Sequence, residues 1–391
     1  MYARRLAQIA PFRVVELLER AKALEAAGHE VVHLEVGEPD FPTAPDIVAA
    51  GHAALDAGAT KYTQALGIPE LRSRIARHYR EWAGVEVDPA RVVVTAGASA
   101  GLLLLSALLL DAGDELLLTD PGYPCNEVFA RLVNGVPVAV PVVPEEAFRL
   151  TPERAAAAWT AATRGMLVAS PANPTGTVLS VADLQALAAL ARDRGGFLLL
   201  DEIYQGLTYD GDAPGYRSGL AVAEDIYVLN SFSKYFGMTG WRLGWMVVPD
   251  DAVEPVSRLA QNLFISPPSL AQHAALAAFE PRAMAVHEAR RQQFARRRDV
   301  LCAGLDRLGF EVPLRPAGAF YVYVDIGGTG MDALAFCRRL LEEYRVAVTP
   351  GIDFGAHRAE RYVRFAFTTS EAHIELGIER IGAALADWGV G

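Results

Sequence analysis

The sequence predicts an α/β protein with two domains, the larger built on a mostly parallel sheet of seven strands between helices. Short runs rich in Val and Leu alternate with longer helical patterns from residue 91 onward, which is typical of βαβ units. After Pro281 an Arg-rich helical pattern continues to Gly309, and strands and helices then mix, as in a smaller α+β domain. A chain of 391 residues, 52% of them hydrophobic, exceeds the usual size of one compact domain.

The periodicity of the apolar residues places each element. Strands are expected at residues 91–95, 115–119, 136–142, 165–170, 197–201, 225–231 and 243–248. Helices are expected at residues 99–111, 124–134, 151–161, 180–194 and 250–279, the last interrupted at Pro267 and Pro268. Near the N-terminus a helix ends at Gly28 and a strand covers residues 31–36. We therefore expect a large domain at residues 46–280 and a small domain formed by residues 1–45 and 281–391.

The composition excludes several classes of function. A formal net charge of −11 speaks against a nucleic-acid-binding surface, which needs clustered Lys and Arg. The cysteines, Cys125, Cys302 and Cys337, show no CxxC spacing, so we expect neither a disulfide framework nor a cysteine metal site. The longest apolar run, 102–110, is too short to span a bilayer, and the N-terminus lacks the pattern of a signal peptide. We expect a cytoplasmic enzyme without metal, nucleic acid or membrane partner.

The segment from His29 to His33 matches the HExxH pattern of zinc proteases, which requires both histidines on one helix face. Here Gly28 ends the preceding helix and His33 lies in a predicted strand. Side chains four residues apart on a strand are about 13 Å from each other, too far to share one zinc ion. A zinc site is therefore not expected.

Residues 97–101 read GASAG after a strand and before a helix, which is also the pattern of the nucleophile elbow in α/β-hydrolases. In that interpretation Ser99 is the nucleophile, and Asp201 and His357 follow in the order of that fold. However, no HGGG-type segment precedes the elbow to supply an oxyanion donor. The same loop offers free N–H groups at a helix N-terminus, which favours a phosphate-binding loop formed by Gly97, Ala98 and Ser99.

Four predicted parallel strands end in polar segments, and ligands of open α/β sheets gather at the carboxyl ends of strands. These segments are 97–99, 170–176, 201–204 and 231–234. Lys234 stands out because only three of the 36 Lys and Arg residues are lysines. Lys22 and Lys61 have the context of solvated surface residues, whereas Lys234 follows a strand end. A desolvated amine there can lose its proton and condense with an aldehyde.

Taken together, the motifs resemble those of the class I/II, fold-type I aminotransferases over essentially the whole chain. They are VGEPD at 36–40, KYT at 61–63, GIPELR at 67–72, NPTG at 173–176, DEIY at 201–204, SFSK at 231–234, MTGWR at 238–242, and Arg364. Each string is short, but their order and spacing together are specific. The resemblance implies a pyridoxal 5′-phosphate enzyme that transfers amino groups between amino acids and 2-oxo acids in a ping-pong reaction.

The resemblance also implies a role for each motif residue. Lys234 would bind the cofactor covalently and carry protons during the reaction. Asp201 would hold a proton on the pyridine nitrogen, Tyr204 and Asn173 would donate to the phenolate oxygen, and Tyr123 would stack on the ring. The phosphate would be held by Gly97, Ala98, Ser99, Ser231, Ser233 and Arg242. The substrate carboxylate would meet Arg364, Asn173 and Gly37.

Tyr62 resembles the residue that reaches the cofactor phosphate of the neighbouring subunit in this family, which implies a homodimer. Aspartate-specific members of one branch place an Arg where this chain has Gln261. We therefore predict neutral or aromatic substrates, unless Arg13 or Arg217 replaces that cation. The resemblance leaves C–S lyases and decarboxylases as alternatives. Sensor domains of transcription regulators are also related, but they would need a DNA-binding extension before residue 37.

Overall fold

The computed structural model describes residues 2–209 and 217–390. The helices are α1 Arg13–Ala26, α2 Pro45–Asp56, α3 Pro69–His78, α4 Gly97–Leu109, α5 Cys125–Leu132, α6 Pro152–Ala158, α7 Val181–Asp193, α8 Val253–Leu263, α9 Ser269–Leu276, α10 Pro281–Arg307, α11 Ala333–Tyr344 and α12 Glu371–Asp387. The strands are β1 Val32–His33, β2 Val92–Thr95, β3 Glu115–Asp120, β4 Val136–Pro141, β5 Thr163–Ala169, β6 Phe197–Asp201, β7 Tyr227–Ser231, β8 Gly244–Val247, β9 Tyr321–Asp325, β10 Val346–Ala347, β11 Thr349–Pro350 and β12 Tyr362–Ala366.

The large sheet has seven strands in the order β2-β8-β7-β6-β5-β3-β4 within the described chain. All its pairings are parallel except those of β8, which runs antiparallel to both β2 and β7. The predicted fold class, α/β with a mostly parallel sheet of seven strands, is therefore confirmed. Because β2, β5, β6 and β7 run in the same direction, their carboxyl ends lie along one edge of the sheet.

Both faces of this sheet are covered, which explains the nearly continuous apolar runs of its strands. Val92 and Val94 pack into one buried cluster, while Val93 between them packs into a second cluster on the opposite face. The same alternation separates Met166 from Leu167 in β5. Several flanking helices begin at clear signals, such as the capping box of Ser180 and Asp183 at the start of α7.

A third buried cluster joins the N-terminal helix α1 to the C-terminal third of the chain. Its sheets are the antiparallel β11-β12-β9 and the parallel pair β1 and β10. The domain boundaries at residues 46 and 280 stay a prediction.

Among the described residues, no helix combines the length and apolar character needed to cross a membrane.

The predicted strand at residues 31–36 is shorter than expected, since regular pairing covers only β1. The chain nevertheless stays extended beyond it. The N–H of Leu34 donates to the carbonyl of Ala347 at 2.9 Å, and the carbonyl of Leu34 accepts from the N–H of Ala366 at 2.7 Å. The segment after Leu34 is thereby held beside β12, and it leads directly to the edge of the large sheet where the polar strand ends lie.

Candidate active site

The polar strand ends meet in one cavity of about 500 Å³. Its walls include most of the residues singled out from the sequence, namely Gly37, Ala98, Ser99, Tyr123, Asn173, Asp201, Tyr204, Ser231, Ser233, Lys234, Arg242 and Arg364. The ends of five strands, β2, β3, β5, β6 and β7, thus contribute to a single site, together with Arg242 before β8 and with Gly37 and Arg364 from the two ends of the chain. Two predicted site residues do not line the cavity. Gly97 lies beside it, next to Ala98, and Tyr62 lies outside it.

One end of the cavity is suited to an anion. Gly97 begins α4 with a φ of +78°, and no side chain caps this helix N-terminus. A side chain at position 97 would place its Cβ 2.6 Å from Nη2 of Arg242, so the guanidinium needs a glycine there. The hydroxyls of Ser231 and Ser233 border the same region. A cation, hydroxyls and helix N–H groups together can bind an anion such as a phosphate group.

Lys234 occupies the middle of the cavity, where its Nζ donates to the carbonyl of Gly37 at 2.7 Å. Burial lowers the pKa of Lys234 to about 8, with the negative charge of Glu38 opposing the shift. The amine is therefore easier to deprotonate than an exposed lysine. This is the state that can attack an aldehyde carbon or accept a proton.

Asp201, at the carboxyl end of β6, is 3% exposed. Burial raises the pKa of Asp201 to about 6, although the N–H of Ile203 donates to its Oδ1 at 3.0 Å and Lys234 lies nearby. Among the described residues, no cation forms a direct ion pair with this carboxylate. A protonated ring nitrogen bound beside it would supply one.

Tyr204 is buried, and its hydroxyl lies 2.8 Å from the hydroxyl of Tyr321. Burial raises the pKa of Tyr204 well above its ordinary value, so the phenol stays protonated and can donate. Tyr321 itself was missed by sequence reasoning. A Cβ at Gly37 would lie 2.1 Å from the Tyr321 hydroxyl, so this tyrosine also requires the glycine of the VGEPD motif. The only signal for it in the sequence is an aromatic residue at the start of a strand.

Arg364 projects from β12 into the cavity and is 5% exposed. Its Nη1 donates to Oδ1 of Asn173 at 3.0 Å, and its Nη2 donates to the carbonyl of Glu35 at 2.6 Å. Nε has no hydrogen-bond partner among the described residues. The guanidinium packs over the rings of Tyr321 and Phe354, 4.2 Å and 4.7 Å from their centroids. This fixed and incompletely satisfied cation is suited to a carboxylate ligand.

The structure does not assemble the residues that a hydrolase would need. Ser99 borders the main cavity, whereas His357 lines a different small cavity beside Pro121 and Tyr362. Asp201 accepts from a main-chain N–H instead of orienting a histidine. The interpretation of Ser99 as a hydrolase nucleophile is therefore wrong, because a triad requires direct hydrogen bonds between its members.

The zinc-protease pattern also has another explanation. His33 lies between Glu25 and Glu35, with Nε2 at 3.2 Å and Nδ1 at 2.7 Å from their carboxylates. In the described part of the chain, no group of three or more His, Cys, Asp or Glu side chains is arranged to hold a metal ion.

Tyr62 and Gln261 do not border the cavity within one chain. Tyr62 is 80% exposed, and Gln261 lies on an exposed face of α8, where it donates to the Ser257 hydroxyl at 3.1 Å. Neither residue is among those that line the cavity within this chain.

Comparison of the sequence with known proteins identifies the family. Residues 29–381 match the family model described as aminotransferase class I and II. The chain belongs to this family. The aminotransferase is 39% identical over 379 residues to the valine–pyruvate aminotransferase of Mycobacterium tuberculosis, covering 97% of each chain. It is 37% identical over 385 residues to the aspartate/prephenate aminotransferase of Thermus thermophilus, covering 98% of each.

Solved structures show the same fold for this aminotransferase. An aminotransferase from Mycobacterium tuberculosis superposes with a TM-score of 0.95 at 39% identity, covering 99% of both chains. An aspartate aminotransferase from Thermus thermophilus, solved with maleate, gives a TM-score of 0.92 at 36% identity over 98% of this chain and 100% of that one. The protein is therefore an enzyme of the fold-type I aminotransferases, which transfer amino groups between amino acids and 2-oxo acids and generally use pyridoxal phosphate.

Proposed function

We propose that the protein binds pyridoxal 5′-phosphate at Lys234 and transfers an amino group from an L-amino acid to a 2-oxo acid by a ping-pong mechanism. The observation that carries the proposal is one cavity holding a buried amine, a buried carboxylate and an anion-binding end, at Lys234, Asp201 and Arg242. These three groups match the aldehyde, the ring nitrogen and the phosphate of the cofactor. When bound, the cofactor supplies an aldehyde for covalent attachment and a ring that takes up electrons from the substrate Cα.

The chain's own residues orient this chemistry. Asp201 stabilises a positive charge on the ring nitrogen, and the Tyr204 phenol and the Asn173 amide provide donors for the phenolate oxygen. Tyr123 contributes an aromatic face beside the ring. Lys234 would hold the cofactor and, with its amine free, could carry a proton at the substrate Cα because it lies within the cavity.

The substrate carboxylate binds Arg364, and the side chain extends toward a second cavity. That cavity, of about 360 Å³, is lined in part by Phe12, Ile352 and Phe354, and Tyr123 borders both cavities. The cation among its described lining residues, Arg131, is paired with Glu127 at 3.2 Å. A buried second carboxylate would therefore lack a free cation and cost several kcal/mol.

Neither of the two cations considered as substitutes is among the residues that line this second cavity. Arg13 pairs with Glu16 at 3.7 Å, and Arg217 packs over the ring of Trp82 at 5.6 Å. These contacts support a preference for neutral, apolar or aromatic amino acids. A relative named for valine and pyruvate supports the same preference. Other relatives are named for aspartate, so aspartate and glutamate must be tested beside the neutral amino acids.

We also propose that the active form is a homodimer. Tyr62, Leu263 and Ile265 are 80%, 50% and 54% exposed, and the hydroxyl of Ser269 donates to the carbonyl of Lys61 at 2.6 Å, which joins their two segments. Exposed apolar side chains grouped in this way favour burial against another copy.

Localisation in the cytoplasm is supported by free thiols at Cys125, Cys302 and Cys337.

Absorption spectroscopy of the purified holoenzyme tests the activity. Addition of a single amino acid should bleach the band of the lysine-bound cofactor, and the matching 2-oxo acid should appear in equal amount. Release of a thiol or of carbon dioxide instead would identify a C–S lyase or a decarboxylase. Alanine, leucine and phenylalanine should react faster than aspartate and glutamate, and a more than tenfold advantage for the dicarboxylates would overturn the proposed preference.

A further inference from the structure

A buried acid–base pair lies directly behind the substrate-binding arginine. Glu35 is 0% exposed, its Oε1 lies 2.7 Å from Nδ1 of His33, and its Oε2 has no partner among the described residues. The other ring nitrogen of His33 is 3.2 Å from the Glu25 carboxylate on α1. A histidine between two carboxylates is needed by none of the steps described above, and the zinc-protease pattern does not account for it.

The main chain of this segment supports the site. The carbonyl of Glu35 accepts from Arg364 Nη2 at 2.6 Å and from the Thr349 hydroxyl at 3.1 Å. The next carbonyl, of Val36, accepts from the Thr368 hydroxyl at 2.8 Å. The third carbonyl, of Gly37, accepts from Nζ of Lys234 at 2.7 Å. The first and third of these carbonyls therefore hold Arg364 and Lys234, and the middle one is tied to Thr368.

We infer that His33 is a positioning residue for Arg364, acting through the side chain and main chain of Glu35. A buried carboxylate needs a cation and hydrogen bonds to remain in place. The imidazolium of His33 supplies both and thereby anchors Glu35, the residue whose carbonyl accepts from Arg364. The inference rests on the proposed role of Arg364 as the ligand of the substrate carboxylate.

The charges around His33 keep its ring protonated. The hydrogen bond that His33 donates to the Glu35 carboxylate raises the pKa of His33 to about 9, against the effect of burial, and Glu25 contributes in the same direction. β10, which pairs with β1, presents only the apolar Val346 and Ala347 there. Arg380 of α12 pairs with Glu30 at 2.8 Å instead of facing the ring. The pair is therefore intact below pH 9 and is lost as the pH rises through that value.

Binding of 4-methylpentanoate tests the inference, because this acid has a carboxylate but no amino group to react. Its dissociation constant is measured on holoenzyme by calorimetry at pH 7.5, 8.5 and 9.5. In the native protein the affinity should fall between the last two values. His33→Gln should weaken binding about tenfold at pH 7.5 and remove this step, since a hydrogen bond to a charged group is lost. His33→Lys should restore part of the affinity, and His29→Gln, at an exposed histidine, is the matched control.

Two further variants keep the outcome decisive. Arg364→Lys tests the proposed function on its own, because native affinity in that variant means that the carboxylate binds elsewhere. If Arg364→Lys weakens binding but His33→Gln has native affinity and the native pH step, the role of His33 is contradicted. Glu25→Gln, at a half-exposed side chain, covers the case in which His33→Gln does not fold. It should move the step in affinity to lower pH, and an unmoved step contradicts the inference.

Discussion

The two halves of the active site are built in different ways. The proposed cofactor half consists of strand ends of one sheet, where Asp201 ends β6 and Lys234 lies three residues after the end of β7. The substrate half depends on Arg364, whose contact with the Glu35 carbonyl joins residues 329 positions apart. The cofactor half is therefore set by local motifs, whereas the substrate half is set by how the chain termini pack together.

This difference separates the expected consequences of mutation. In the cofactor half, a change removes a chemical group from a scaffold that both sheet faces hold in place. In the substrate half, Arg364 is oriented by Asn173, Thr349 and Glu35 from three segments, so a distant change can move it. Variants of the two halves should therefore affect turnover and substrate affinity differently.

The largest effect is expected in the cofactor half, from Lys234→Ala. Covalent attachment of the cofactor should disappear and turnover should fall by about a thousandfold or more, because the same amine serves as attachment point and proton carrier. The midpoint of thermal unfolding should change little, since the anion-binding end of the cavity remains. Lys22→Ala, at an exposed lysine of α1, is the control and should behave as the native protein.

In the substrate half, Arg364→Lys should lower kcat/KM by roughly a hundredfold, because a bidentate and buried cation is replaced by a single point charge. Steady-state kinetics with a neutral amino acid measures this, and the main change should appear in KM. Arg361→Lys, on the same strand region but paired with Asp325 and half exposed, is the matched control. An equal loss of kcat/KM in both variants would mean that the substitutions disturb the strand, and it would contradict a specific role of Arg364 in carboxylate binding.

The pH dependence of cofactor attachment tests the lowered pKa of Lys234 in the cofactor half. The lowered pKa of Lys234, about 8, means that the neutral amine is scarce below that pH and dominant above it. The rate of covalent attachment to the cofactor-free protein should rise about tenfold per pH unit below 8 and level off above it. Stopped-flow absorbance measures this rate. A rise that continues to pH 10 would show that Lys234 titrates as an exposed lysine.

The smallest effect is expected from Tyr62→Phe, which tests the contribution of the neighbouring copy. Loss of one hydroxyl near a phosphate should weaken cofactor retention by a few-fold, since one hydrogen bond contributes about 1 kcal/mol. Sedimentation velocity across a dilution series accompanies the measurement. A fully active monomer, or unchanged cofactor retention, would confine the site to one chain and remove Tyr62 from it.

The sequence predicted the cofactor half more completely than the substrate half. Asp201 and Lys234 could be placed because Asp201 ends an apolar strand, Lys234 closely follows another, and parallel strand ends share one edge. Tyr321 and Glu35 could not be placed, because their importance comes from contacts with Tyr204 and Arg364 far away in the chain. Arg364 itself was identified only through the family resemblance, since a strand arginine is usually solvated.

The HExxH pattern also shows that the sequence does not reveal long-range contacts. Sequence spacing excluded a zinc site at His29 and His33, but it gave no reason for a charged pair inside an apolar strand. Glu35 is buried because residues far along the chain cover this segment: β10 pairs with β1, and Ala366 and Arg364 donate to the carbonyls of Leu34 and Glu35. Local patterns therefore predict which strand ends carry chemistry, while long-range packing decides what holds those ends in position.

Reduction of the holoenzyme with borohydride, followed by mass spectrometry of its peptides, tests the central claim most directly. The reduced cofactor should be attached to the peptide that contains Lys234, and the peptides with Lys22 and Lys61 should be unmodified. Attachment at Lys22 or Lys61, or no attachment in a protein that still transaminates, would contradict the assignment of this cavity as the active site.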